Sequence, residues 1–166
     1  GAKGEVKPLE PFAASSVPLA TLGVFILWMG WFGFNGGSQL AAGTLEDITS
    51  VATIFINTNI AAAGGVMTAA ILSRLIGGKT DVILMLNGAI AGLVAITAEP
   101  LAPSPLLAIV IGSIGGAVMF FSTKLLFSLK IDDVVGAIPA HFFAGIWGTL
   151  AVGMSNSDTN FSSQFI

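Results

Sequence analysis

Charged side chains fall in short clusters along this chain, and long apolar stretches separate them. No Asp, Glu, Lys or Arg occurs between Glu10 and Glu46, Asp47 and Arg74, Asp81 and Glu99, Glu99 and Lys124, or Asp133 and Asp158. A helix crosses a bilayer with about 17 to 25 consecutive apolar residues, so each interval has room for one span. The predicted cores are Val17 to Ser38, Val51 to Ser73, Val82 to Ala98, Pro105 to Thr123 and Val134 to Met154. Amphipathic period does not help to define them, because helices surrounded by lipid and by other helices are apolar all round. Start signals do help. Asp81 and Asp133 precede the third and fifth cores, and Ser104-Pro105 reads as N-cap and first helical position of the fourth.

Composition identifies the solvent. Of 166 residues, 54% are hydrophobic and 9% charged, with a mean hydropathy of +0.92, whereas soluble domains carry charge on about a quarter of their residues. So few polar groups cannot cover a globular surface, and the fold class they predict is all-α: a polytopic membrane helical bundle of five transmembrane helices. The balance excludes a cytosolic enzyme and a disordered tail, and a net charge of -3 with a pI near 4.8 excludes a nucleic-acid module. Cysteine is absent, which removes disulfides, thiolate metal sites and a Cys nucleophile. No phosphate loop, metal constellation or nucleophile–base pair is present in the sequence, so neither catalysis nor a cofactor is expected. The chain opens on Gly1 with no signal-peptide organisation, which predicts a piece of a longer polypeptide.

Basic residues favour the cytoplasmic ends of spans. Lys3 and Lys7 precede the first core, Arg74 and Lys79 lie between the second and third, and Lys124 and Lys130 lie between the fourth and fifth. The connections Gln39 to Ser50 and Glu99 to Ser104, and the segment after Met154, hold no Lys or Arg. The N-terminus of the chain is therefore expected in the cytoplasm and its C-terminus outside, in a cell (inner or plasma) membrane. An odd number of spans with termini on opposite sides is also the form of one unit of an inverted repeat.

Several residues could carry chemistry. Trp31, Phe34 and Ser38 stand at i, i+3 and i+7 and share one helix face at the expected outer surface. Two aromatic faces beside a hydroxyl could hold a small cation, at about 0.5 to 2 kcal/mol per ring. The other reading is an interfacial aromatic belt, as Trp28, Phe25 and Phe32 suggest. His141 lies inside the fifth core, where ionisable groups are rare and usually face a cavity or a partner; a structural bond to a neighbouring helix is the alternative. Pro139 removes a donor and frees the Val135 carbonyl, so a kink is expected there. Gly88, Gly92, Gly112 and Gly116 form small-xxx-small packing faces, with Gly64, Gly65 and Gly145 as further points of close approach. Asn57, Thr58, Asn59, Asn87 and Thr97 are expected to be satisfied between helices. Asp132 and Asp133 would open the fifth helix, and Glu46, Asp47, Glu99 and Asp158 would form an acidic outer rim that enriches cations.

The run from Phe25 through Trp28, Trp31, Phe34 and Asn35 to Ser38 resembles the sixth-helix signature of the ammonium transporter family (Amt/Mep/Rh). Asn57 to Gly65, Asn87 to Thr97, and Asp132 through His141 to Gly148 are similar to its seventh, eighth and tenth helices, in order. The resemblance implies half of an eleven-helix fold built from two inverted five-helix repeats and a final helix, assembled as a homotrimer with one pore per subunit. It places the chain at helices six to ten, with Asn160 to Ile166 as the approach to the eleventh. Trp31, Phe34 and Ser38 match the outer vestibule, Ser38 being the recruiting hydroxyl, and His141 matches the second of a pair of pore histidines. The implied function is ammonium transport: the cation is recruited outside, deprotonated, and passed as a neutral species beside the histidines through an apolar conduit that rejects hydrated ions. The implied partners are ammonium or ammonia, methylammonium, the lipid bilayer and a PII-type regulatory protein at the cytoplasmic face. Departures from the family pattern are Phe142 after His141, Glu99-Pro100 after Thr97, and Val134 after the paired aspartates. The rival readings are an ammonium sensor using the same outer site, a passive gas channel of Rh type, and a non-conducting scaffold subunit.

Overall fold

The computed structural model describes residues 16–156, 159 and 161–164. Lys3, Lys7, Glu10, Asp158, Asn160, Phe165 and Ile166, which entered the topology and end-of-chain readings, lie outside the described residues. The elements are α1 (Val17–Gly37), α2 (Leu45–Gly77), α3 (Val82–Thr97), α4 (Pro105–Ser128), and a fifth rod that starts as a π-helical turn (Ile138–Phe143) and continues as α5 (Ala144–Ser155). A 3₁₀ turn, Phe161–Gln164, follows.

Local polar chemistry sets the helix starts. Ser16 Oγ accepts from the Leu19 N–H ahead of α1, and Ser104 Oγ accepts from Leu107 with Pro105 entering α4. Asp81 accepts from both Ile83 and Leu84 at the start of α3. Each such cap is worth about 1 kcal/mol. α2 runs well past the apolar core Val51 to Ser73 because both its ends are built. Thr44 and Asp47 form a capping box upstream, and Gly78, at φ 77°, closes the helix downstream in the left-handed region.

The fifth rod departs from the expected start at Val134. Val134 and Val135 form a turn, Gly136 takes φ 73°, and regular structure begins at Ile138. Asp133 still caps this rod, from a distance: its carboxylate accepts from the Ala137 and Ile138 N–H groups. Pro139 therefore sits in the first turn, where its missing donor is harmless. The expected mid-helix kink is replaced by a π turn, closed by the Ala144 N–H on the Pro139 carbonyl. The Val135 carbonyl takes an N–H from the Asn87 amide at 3.2 Å.

α2, α3 and α4 make the core, with α3 in the centre touching every other long element. Their contact is nearly backbone on backbone. A Cβ on Gly65 would overlap the Gly88 carbonyl, and one on Gly112 would overlap the Ala61 carbonyl. Such proximity replaces the hydrophobic drive that lipid does not supply. Gly145 does not belong to this set, since a Cβ there would meet only Val94 Cγ1 at an ordinary 3.7 Å; Gly148, packed on the Ala95 carbonyl, takes that role in the fifth rod. α1, α2 and α4 are long and apolar enough to cross a membrane. α3 has 16 residues, about 24 Å of helix, and its continuous buried run from Gly88 to Leu93 faces protein on all sides.

The buried polar groups found mixed fates. The Asn57 amide donates to the carbonyls of Pro100 and Pro103 at 3.0 and 2.8 Å, clasping the α3–α4 loop onto α2, while its Oδ1 has no partner among the described residues. Thr58 accepts from the buried Asn35 amide at 3.0 Å. Asn59, expected between helices, is exposed instead. Two carboxylates of the expected acidic rim hold their own loops. Asp47 belongs to the capping box, and Glu99 accepts from Leu101, Ala102 and the Asn156 amide.

Candidate functional site

α1 carries the aromatic face and the fifth rod carries the histidine, and α3 lies between them. α1 packs on α2 and α3, and its backbone makes no contact with the fifth rod. The two are joined by rings. The Trp31 and His141 centroids are 6.5 Å apart with planes tilted by 41°. Phe34 stands edge-on to Trp31 at 6.0 Å. Sequence spacing places Trp31, Phe34 and Ser38 on one face, and the fold adds His141, which lies on a helix distant in sequence.

Each side chain is fixed differently. Trp31 is half-buried against the core and donates its indole N–H to Thr97 Oγ1 at 2.8 Å. Trp28 also packs on this core and is half-buried. Phe34 is 62% exposed, which leaves a ring face open. Ser38 caps the end of α1 and donates its hydroxyl hydrogen to the Phe34 carbonyl at 2.8 Å. With that hydrogen engaged, its oxygen meets any newcomer as an acceptor. His141 is exposed, and its Nδ1 lies 3.2 Å from the Ala137 carbonyl. A carbonyl can only accept, so this bond requires the hydrogen on Nδ1; in the neutral ring Nε2 is then an acceptor.

Below this ring cluster runs an open, largely apolar groove of about 540 Å³. α1 contributes Ala20, Val24 and Leu27, α3 contributes Ile90, and the fifth rod contributes Ala140 and His141. Trp31 continues the α1 face one turn beyond Leu27. Ser38, Phe34, Trp31, His141 and the groove thus follow one another along the molecule. A second hollow of about 590 Å³, bordered by Asp81, Lys124, Lys130 and Asp133, lies on the other side of the Val134–Gly136 turn. Asn87 borders both hollows and holds the turn between them. Among the described residues no cluster of His, Cys, Asp or Glu could hold a metal.

Sequence reasoning assigned Thr97 a structural role and did not single out Asn35. No periodic pattern announces either one, because each is identified by a partner on another helix. Asn35 lies one position beyond Phe34 and is 2% exposed. Its bond to Thr58 pins the C-terminal end of α1 to α2.

Residues 2–165 match the sequence profile of the Ammonium Transporter Family. The chain is 48% identical over 139 residues to the ammonium transporter Amt2 of Archaeoglobus fulgidus, covering 84% of this chain and 29% of that protein. It is 43% identical over 137 residues to the ammonium transporter of Bacillus subtilis, covering 80% of this chain and 32% of that protein. Among solved structures, a sensor Amt protein superposes with a TM-score of 0.82 at 37% identity, over 90% of this chain and 36% of that one. Candida albicans Mep2 superposes with a TM-score of 0.81 at 29% identity, over 90% and 32% of the two chains. The chain therefore spans about a third of the length of these relatives.

Proposed function

The chain belongs to the ammonium transporter family, and from that premise we propose that it serves ammonium transport as the second inverted half of a longer membrane protein. The observation that carries this reading is the contact of Trp31 with both Phe34 and His141 at an apolar groove that His141 lines. Ammonium is a cation with only N–H donors. The open Phe34 face and the Trp31 ring attract its charge, at about 0.5 to 2 kcal/mol per ring, and the Ser38 oxygen accepts one hydrogen bond. Further in, the apolar groove disfavours a charged, hydrated ion. The proton is given up to water at the exposed face before the groove, and ammonia passes beside His141, whose Nε2 accepts a hydrogen bond when the ring hydrogen is on Nδ1.

In this reading the first half of the protein supplies the opposite wall and a second imidazole. The complete protein is a trimer in the cell membrane, with the Ser16 end of α1 towards the cytoplasm, where a PII-type regulator would dock. Methylammonium, which keeps three N–H donors and the charge, is carried as well.

The test is uptake by the full-length protein in vesicles. His141→Ala should change ammonium flux or ion selectivity while the protein accumulates normally, and unchanged flux, selectivity and current would remove His141 from the pathway. Trp31→Leu and Ser38→Ala should raise the half-saturating ammonium concentration more than they lower maximal flux. Unchanged affinity in both returns this face to a belt at the membrane surface. A second reading, an ammonium sensor, is favoured by the likeness to the sensor Amt protein. It predicts that the parent protein binds ammonium at this face and moves none across the membrane.

A further inference from the structure

One side chain governs the geometry of the ring cluster without belonging to it. Thr97 is the last residue of α3. Its hydroxyl donates to the Leu93 carbonyl at 2.6 Å and accepts the Trp31 indole N–H at 2.8 Å. A hydroxyl has one hydrogen, and here it is held by the Leu93 carbonyl. Towards Trp31 the oxygen can therefore act only as an acceptor, and the indole is bound in one sense. The Trp31 ring is thereby held in one orientation towards Phe34 and His141, whose ring centroids lie 6.0 and 6.5 Å from its own.

This bond compensates for a missing contact. α1 and the fifth rod do not touch through their backbones, so their alignment is transmitted through α3. Thr97 is the point at which α3 grips the ring of α1 that meets the ring of the fifth rod. We propose that Thr97 is a positioning residue of the ammonium pathway: its hydroxyl locks the Trp31 indole in register between the outer aromatic face and His141. The proposal rests on the transport reading above.

The test is a double-mutant cycle in the full-length protein, read by ammonium uptake kinetics. Thr97→Val keeps the shape and removes the acceptor. It should raise the half-saturating ammonium concentration by about two- to tenfold, the range set by loss of one neutral hydrogen bond, at normal protein abundance. Thr97→Ser should restore the parent value. In a Trp31→Leu background Thr97→Val should add nothing, because its effect passes through the indole. An equal effect in both backgrounds, or none in the parent, overturns the proposal. If Thr97→Val does not accumulate, Thr97→Ala carries the same cycle. Failure of both while Trp31→Leu accumulates normally marks Thr97 as a folding residue only and also overturns the proposal.

Ultraviolet resonance Raman spectra of the indole N–H band give a readout independent of transport. Thr97→Val should convert one hydrogen-bonded tryptophan to a free one, and an unchanged band overturns the proposal. A parent protein that moves no ammonium overturns the transport reading, while this spectrum still decides whether Thr97 holds the indole.

Discussion

The α2–α3–α4 core and the wall formed by α1 and the fifth rod are built on opposite plans. In the core, glycines bring backbones together and the side chains between them are small; Gly65 has Gly88 on one side and Gly116 on another. On the wall, two helices with no backbone contact are aligned through α3 by individual bonds: Trp31 to Thr97, and Asn87 to Val135. The core tolerates no added volume. The wall depends on polar geometry, and much of α1 leaves room for added volume, since a Cβ at Gly23, Gly30 or Gly33 meets nothing within 4 Å. The proposed site lies on the wall, where there is room beside its side chains, and the packed core supplies the reference that keeps those side chains in place.

This contrast breaks first at Gly65. Gly65→Ala puts a methyl group into the Gly88 carbonyl. Because the obstruction is backbone and cannot turn away, the expected cost is at or above the upper end of ordinary overpacking, about 3 kcal/mol. Thermal unfolding of the purified protein in detergent should show a large loss. Gly30→Ala on α1 meets nothing within 4 Å and should unfold like the parent. A comparable loss at both positions would mean that the two regions do not differ in this way.

A smaller effect is expected at Asn87. Asn87→Leu withdraws the donor from the Val135 carbonyl, which should cost about 0.5 to 1.5 kcal/mol and alter uptake more than stability. The carbonyl marks the start of the rod that carries His141, so loss of stability with unchanged uptake would place Asn87 with the core.

The N-terminal cap of α2 lies apart from both the packed glycines and the wall, and it calibrates both. Thr44→Ala removes the cap of α2 and should cost about 1 kcal/mol. The hydrogen bond from the Thr44 side chain, and then that from its backbone, hold the Asp47 carboxyl below its ordinary value of 3.8. A lowered folded value stabilises the helix above the unfolded pKa, and that stability disappears as pH falls through the folded one. Asp47→Asn should therefore flatten the acid limb of the stability profile below about pH 4, while leaving uptake near neutral pH unchanged.

The parts legible in the sequence were those written locally. Asp81 and Ser104-Pro105 announce helix starts because a cap is a contact across three residues. The glycine pairs at Gly88 and Gly92 and at Gly112 and Gly116 announce a packing face because the period belongs to one helix. The start of the fifth rod was misplaced because Val134 and Val135 are as apolar as the helix that follows. What unwinds them is Gly136 at positive φ, its backbone packed against Asn87 of another helix. For the site, the spacing of Trp31, Phe34 and Ser38 was visible, while the approach of His141 and the grip of Thr97 were not. Those depend on which helices become neighbours, and apolar helices of similar composition carry little local record of that choice.

The π turn ahead of α5 has its own consequence for how this protein can vary. Beyond the turn the rod is anchored: Trp147 donates to the Ile111 carbonyl at 2.9 Å, and Gly148 lies against Ala95. The wider turn takes in an additional residue before that anchor, so it acts as a phase shifter between His141 and the fixed end. One residue of α-helix corresponds to about 100° of rotation. Deleting Ala140 would allow a continuous α-helix to form, and either the imidazole or the anchored face would then point about that far from its present direction. The aim of the histidine is thus stored as a residue count, and a change in chain length within Ile138–Phe143 turns the imidazole by a route that no single substitution there reproduces.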